Sequence, residues 1–325
     1  MLYSICREDT VRDIIVSTPG SVELATQLWL FEDAVPIPSS VEVPVGTAAL
    51  DALLRMAEHP TLDRALKTAG GKPDQVAKLA LGRLCTEGRE AEISGIRMSV
   101  YTDILCQFSR SARHTLRHAI LIAGAISTVT KTLGIVTSQI NSTGNPTLLD
   151  AIVALFGYLR NCLESSDGFT WISQSVQAGL LTAFVECSPY FSKLEDPEDR
   201  EMILSIIKLV LPRYLVYRSI IRTVSTALES VYKNPRIGRV SKTVAKDVWR
   251  DFVRLAKERM LVEAHAGALK ATMCDNANVS VPYIWRIDNF ISSYRSASKL
   301  IQSTISVNVL HVVPLTTAPK VNQFL

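Results

Sequence analysis

The residue pattern predicts an all-α fold of stacked helical repeats, and three observations carry that prediction. Apolar residues recur at three- and four-residue steps through most of the chain, the spacing of one buried helix face. Alternating β patterns are scarce. Val41-Glu42-Val43-Pro44-Val45 alternates, but prolines flank and interrupt it, which favours a loop. Only Val307 to Val313 reads as a strand, and it lies in an anomalous tail. The third observation is a recurring glycine-led pattern, taken up after the elements themselves.

The elements follow in order. Thr47 to Glu58 places Leu50, Leu53, Leu54 and Ala57 on one face. Pro73 opens a run with Val76, Leu79, Ala80 and Leu84 together, and proline suits a first helical turn. Ile93 to Phe108 and Thr115 to Ile122 repeat the pattern, and Pro146 begins the next run. Trp171 to Cys187, Pro197 to Val210 and Tyr214 to Tyr232 follow. The last helix is expected from Ser241, a suitable N-cap, to about Met273. Loops are marked at Thr18-Pro19-Gly20, Pro36 to Gly46, Gly70-Gly71 and Asn141 to Pro146.

Gly20, Gly124 and Gly179 each precede an apolar residue two positions on and another five on, and each opens a buried-looking helix. Glycine permits a sharp turn into such a helix. The arrangement resembles the start of the third helix of an armadillo repeat. The separations, 104 and 55 residues, are irregular and exceed the usual repeat of about 40–47 residues. The expected architecture is therefore an irregular armadillo/HEAT-like helical solenoid, right-handed, with a poorly ordered C-terminal tail.

At 325 residues and 47% apolar composition the chain can bury a sizeable core without disulfides. The six cysteines, Cys6, Cys85, Cys106, Cys162, Cys187 and Cys274, form no close pair and read as buried, reduced thiols. Met1 to Cys6 is too short for a signal peptide, so Asn141-Ser142-Thr143 and Asn278-Val279-Ser280 carry little weight as glycosylation sequons. Ala119 to Ile140 is the best membrane-span candidate, but Lys131, Gly124 and Gly134 favour two packed core helices. No membrane partner is expected, and the location is expected to be intracellular, cytoplasmic or nuclear.

Charge is polarised along the chain. Between Arg213 and Arg259 there are 12 basic and 4 acidic residues, a net of +8, against +4 for the whole chain. Lys246, Arg250, Arg254 and Lys257 recur at three- and four-residue steps and form one helical stripe. Such a stripe follows nucleic-acid phosphates or another acidic partner. It is equally the solvated face of a helix whose other side carries Val244, Val248, Phe252 and Leu255.

Other constellations offer no reaction. His114 and His118 are four apart and would share a helix face, yet no Glu lies among the intervening Thr115, Leu116 and Arg117, and nearby Arg110 and Arg113 disfavour a cation, so exposed histidines are expected. Gly70-Gly71-Lys72 leads into Pro73-Asp74 and reads as a helix connection, not a phosphate cradle. Glu195-Asp196-Pro197-Glu198-Asp199 reads as a loop and helix start, where acids suit the dipole.

Several segments resemble a family of intracellular proteins from mushroom-forming fungi (basidiomycetes), in which a long helical body precedes a MYND-type zinc finger. They are Ser17 to Ala25 with Leu28-Trp29-Leu30, Tyr214 to Ser219, Lys257-Glu258-Arg259, and Cys274-Asp275-Asn276. The resemblance covers roughly residues 10–278. It implies a helical-repeat domain over 1–273 and a protein partner. It makes Cys274 the first zinc ligand of a complete finger. The next ligand positions are Ala277 and Val279, and no cysteine follows, so no zinc or other cofactor is expected here. Residues 274–325 then read as a truncated finger with an anomalous tail. A translated intron would produce it, since the donor GTAAGT reads Val-Ser in frame, as at Val279-Ser280. Met1 also enters what reads as the middle of a repeat, which suggests a clipped start. The function expected is a non-catalytic scaffold for protein–protein interaction. The alternative is nucleic-acid or acidic-partner binding through residues 213–259.

Overall fold

The computed structural model describes residues 8–34, 41–165 and 169–268. Cys6, Cys274, the truncated finger, the tail and the Val307 to Val313 strand candidate lie outside the described residues. Those described are all-helical, with no strand among them.

The helices fall into five groups. The first holds α1 (Asp9–Ser17), α2 (Ser21–Phe31) and α3 (Val45–Leu54). Next come α4 (His59–Thr68), α5 (Pro73–Glu87) and α6 (Gly95–Arg110), then α7 (Thr115–Ile122), α8 (Ala125–Thr143) and α9 (Leu148–Glu164). The fourth group is α10 (Thr170–Gln177), α11 (Leu180–Cys187), α12 (Pro197–Ser205) and α13 (Leu211–Tyr214). The fifth is α14 (Arg218–Lys233), a 3-10 turn at Ile237–Lys242, and α15 (Lys246–Ala268).

The period is more regular than the glycine pattern alone indicates. Second helices start at residues 21, 73, 125 and 180, intervals of 52, 52 and 55. Third helices start at 45, 95, 148, 197 and 246, intervals of 50, 53, 49 and 49. The 104-residue gap is two periods, with the Gly70-Gly71 junction between them. Many side-chain hydrogen bonds between distant described residues also join one group to the next. Their separations run from 41 residues, Arg64 to Glu23, to 54, Arg83 to Trp29.

Gly124 shows why glycine marks these turns. Its φ of 87° is left-handed and caps α8, and the α7–α8 bend is 62°. Gly20 and Gly179 take the same conformation before α2 and α11. The apolar residues two and five positions after each are all buried. Gly95 serves closeness instead: a Cβ there would lie 1.9 Å from the Thr147 carbonyl oxygen, at the entry to α9.

Several expected boundaries move. Trp171 to Cys187 is two helices, because Gly179 turns the chain. Pro197 to Val210 becomes α12 and a π-turn at Ile206–Val210, with α13 following. Pro212 gives the reason. It lacks an N–H and its ring crowds the carbonyl of Lys208, so the turn widens and Leu211 N–H bonds Ile206 O. The chain then breaks after Tyr214, and the next helix begins at Arg218. Thr47 to Glu58 is helical only to Leu54, and Met56 adopts a left-handed φ of 62°. Ser241 is not the cap of the last helix. It lies in the 3-10 turn and donates to Gly238 O, while Thr243 Oγ1 accepts the Ala245 N–H.

No single described helix is long and apolar enough to cross a membrane. α7 and α8 meet that length and composition only together, across their bend. Cys85, Cys106, Cys162 and Cys187 are free thiols, the last two buried.

Candidate functional site

The polar features of the described residues gather in three places: the last helix, the junction of the first two groups, and a histidine corner beside it.

Burial of Ala245, Trp249, Phe252 and Ala256 sets the rotation of α15. Trp249 stacks on Phe184, 6.1 Å between centroids, and Phe184 packs on Phe156 and Phe191. The buried seam thus runs through Trp249, while Val244 is largely exposed and Val248 and Leu255 only partly buried, unlike the seam expected. Lys246, Arg250, Arg254 and Lys257 face solvent together. Acids interleave them. Arg250 pairs with Asp247 at 2.9 Å and Asp251 at 3.7 Å, and Arg254 with Asp251 at 3.4 Å. Lys257 Nζ lies 5.4 Å from the Tyr232 ring centroid. In the preceding helix Arg218 and Arg222 both bind Glu263, holding its carboxyl below the usual range, Arg218 being the larger cause. Much of the positive charge in this region is therefore neutralised locally.

Sequence reasoning missed the second place. Arg83, on α5, is 6% exposed and bolts the second group to the first. It pairs with Glu32 at 2.9 Å and Asp33 at 2.9 Å and donates to Trp29 O at 2.6 Å. Its guanidinium lies over the Trp29 ring, 4.7 Å from the centroid. Glu32 also accepts the Thr47 N–H at 2.7 Å and is bonded by the Thr47 hydroxyl. Burial raises the Glu32 carboxyl, with Thr47 and Arg83 pulling it back. Beside it, buried Glu87 accepts the Ser94 N–H at 2.7 Å and pairs with Arg97. Of these residues, Asp33, Arg83, Glu87 and Arg97 line a cleft of about 470 Å³ with Lys78, Glu90 and Tyr101. The available signal was the register of α5, where Arg83 and Glu87 follow Val76 and Ala80 on the inward face.

Two more carboxyls sit where α3 meets α6. Asp51 is 1% exposed and its Oδ2 has no hydrogen-bond partner. Burial pushes it up to about 6, against the opposing charge of Arg55. Asp103 is pushed up to about 7, by burial first and the Asp51 charge second.

The third place corrects the expected histidine pair. His114 is not an exposed helix residue beside His118. It is the buried N-cap of α7, and its Nδ1 accepts the Leu116 N–H at 3.2 Å. Its Nε2 therefore carries the proton and faces Asp63 Oδ1 at 3.2 Å. The His59 ring meets it edge-on at 5.5 Å, and Ser111 Oγ bonds His59 Nε2. His118 is exposed on the helix beyond. Arg117 is buried, donating to Ser109 O and Ser165 Oγ. Met56, His59, Arg110 and Ser111 border an open cavity of about 400 Å³. No group of three or more His, Cys, Asp or Glu among the described residues converges as metal ligands. In the acidic stretch, Asp196 caps α12 by accepting the Glu198 N–H at 2.7 Å.

Compared with protein-family models, with curated proteins and with solved structures, the chain matches none.

Proposed function

We propose that this chain is a non-catalytic helical scaffold that binds another protein, the five helix groups described between Asp9 and Ala268 stacking as an irregular armadillo/HEAT-like solenoid. One observation supports this above the rest. The third helices pack in succession: α3 on α6, α6 on α9, α9 on α12 and the π-turn, and the π-turn on α15. Each group contacts its neighbours, and a continuous face made of one helix per repeat results. On α6 the stripe that is at least partly accessible is Ser99, Gln107 and Arg110; on α9 it is Asp150, Ala154, Gly157 and Asn161. Such a surface suits an extended peptide. The resemblance to helical bodies that carry a MYND finger points to the same class of partner. Zinc and the finger's own recognition belong to relatives with a complete ligand set.

The test is selection of binding peptides from a displayed library, followed by Gln107→Lys and Asn161→Lys. Both side chains are partly accessible, so folding should survive. Loss of binding in both variants with unchanged thermal unfolding is the expected result. Peptides that bind both variants as well as the parent would remove the third-helix face from the proposal.

A second reading, nucleic-acid binding, is favoured by the solvent-facing row Lys246, Arg250, Arg254 and Lys257. Anisotropy of labelled duplex DNA against salt decides it. Each phosphate contact should contribute a log–log slope of about −0.9. The acids interleaved with the stripe weigh against a large slope.

A further inference from the structure

The two ends of the described array differ in charge and share exposed apolar surface. At the N-terminal end, α2 buries Val22, Ala25, Thr26 and Trp29, which turns Leu24, Leu28 and Phe31 outward at i, i+4 and i+7. Phe31 is 69% exposed and Leu24 58%. Residues 8–58 hold 2 basic and 9 acidic residues, a formal net of 2 − 9 = −7, or −7 + 2 = −5 once Arg64 and Arg83, which pair with Glu23, Glu32 and Asp33, are counted. On α1, Asp9 and Asp13 are open to solvent.

At the other end, the α15 stripe continues past Lys257 to Leu261, which is 62% exposed. Tyr232 lies under Lys257 and is itself 49% exposed. The segment from 213 to 259 nets +8. An apolar face on a terminal repeat is a liability unless something covers it. Here the opposite end offers exposed apolar side chains on a segment whose net charge has the opposite sign.

We infer that the chain self-associates head to tail: the α2 face of one copy, with its acidic surround, seats on the α14–α15 face of the next. The acidic partner of the basic stripe is then a second copy of this chain. The inference rests on the repeat-array reading above, since an array presents two different end faces. The contact is heterologous, so it extends chains unless the rotation closes a ring. Opposite charges steer the encounter, and salt weakens it.

Sedimentation velocity of the full chain, over a range of concentration and salt, tests this. The parent should show species growing with concentration at low salt and shrinking at high salt. Two variants break one end each: Leu24→Gln with Leu28→Gln and Phe31→Ser, and Lys246→Glu with Arg250→Glu, Arg254→Glu and Lys257→Glu. All seven positions are exposed, and matching circular dichroism and thermal unfolding verify the folds. Each variant alone should be monomeric. Their equimolar mixture should form a dimer that grows no further, because one intact face of each kind remains. A parent that stays monomeric throughout overturns the inference. So does association that survives in either variant alone, or a mixture that does not pair. Peptide binding at Gln107 and Asn161 is read separately, so the scaffold proposal and the self-association stand or fall apart.

Discussion

Arg83 and Arg250 are both arginines in acidic company on long helices, and their surroundings give them opposite weights. Arg83 is withdrawn from water among Glu32, Asp33, Trp29 and its carbonyl, and it joins two helix groups. Arg250 stands 62% exposed, and the partners found for it among the described residues, Asp247 and Asp251, belong to its own helix. The basic region is conspicuous in the sequence, yet its charges are solvated and partly cancelled. The N-terminal junction lies in an acidic segment with no basic stripe of its own, yet its few buried charges are the costly ones. Charge density along a chain therefore says where a partner is steered, and burial says where stability depends on a charge.

The largest expected effect follows from Arg83. Arg83→Ala strands Glu32, whose side chain is only 7% exposed, and removes a donor from Trp29 O. Leaving a buried charge unpaired costs about 3–5 kcal/mol. Urea unfolding should show this loss in full, and a loss no greater than that of a surface substitution would show the junction to be loose. Arg83→Met combined with Glu32→Gln should recover much of the stability, since an apolar replacement of a whole buried pair is often neutral.

Gly124→Ala comes next. An added Cβ meets nothing within 4 Å, so the cost is backbone strain alone, at φ 87°. About 1–2 kcal/mol is expected. Ala at Gly134, inside α8 and equally open, should instead be neutral or stabilising by about 0.5–1 kcal/mol. Thermal unfolding of the two variants side by side separates turn from helix. Equal effects would mean the left-handed turn is dispensable.

The helical character and the glycine turns were legible because each depends on a few consecutive residues. Gly20, Gly124 and Gly179 carried their pattern openly. The fourth junction is hidden because Pro73 stands where the others have Val22, Ile126 and Leu181, with Val76 following in register. The true period of about 52 residues then looked like a double gap. Arg83, His114 and Trp249 were illegible for another reason. Nothing local to Arg83 announces Glu32, about 50 residues earlier, and His114 reads as a helix residue until its cap geometry is seen. The basic stripe was legible as a face, but not its compensation, which depends on rotamers of Asp247 and Asp251. The His114–Asp63 contact, the carboxyl pair and the buried junction all join neighbouring helix groups, and a single sequence does not announce such contacts.

The buried carboxyls sharpen the comparison by their pH dependence. Asp51 and Asp103 keep protons in the folded chain that the unfolded chain releases near pH 4. Their contribution is therefore fully present below about pH 4 and is lost as pH rises towards about 7. Glu23 works the other way: Arg64 lowers it to about 2, so its contribution is lost as pH falls through the acid range. Asp51→Asn removes one titrating group and the charge that raises Asp103. It should flatten the slope between about pH 4 and 8 and leave the variant more stable than the parent at neutral pH by about 1 kcal/mol. A slope unchanged by the substitution would detach the α3–α6 junction from the effect.

The smallest effect completes the contrast. Arg250→Ala should change stability by no more than about 0.5 kcal/mol, since exposed pairs gain little and the remaining Asp247 and Asp251 stay hydrated. Its consequence should appear instead in whatever the α15 face binds. Removing Arg250 also unmasks Asp247 and frees Asp251 for Arg254 alone, so the local net charge falls by one. Salt titration of the association, compared between parent and variant, should show a shallower dependence in the variant while urea midpoints coincide. If the midpoint shifts as much as it does for Arg83→Ala, exposure is the wrong criterion, and the division between steering charges and structural charges fails at the place where it is easiest to measure.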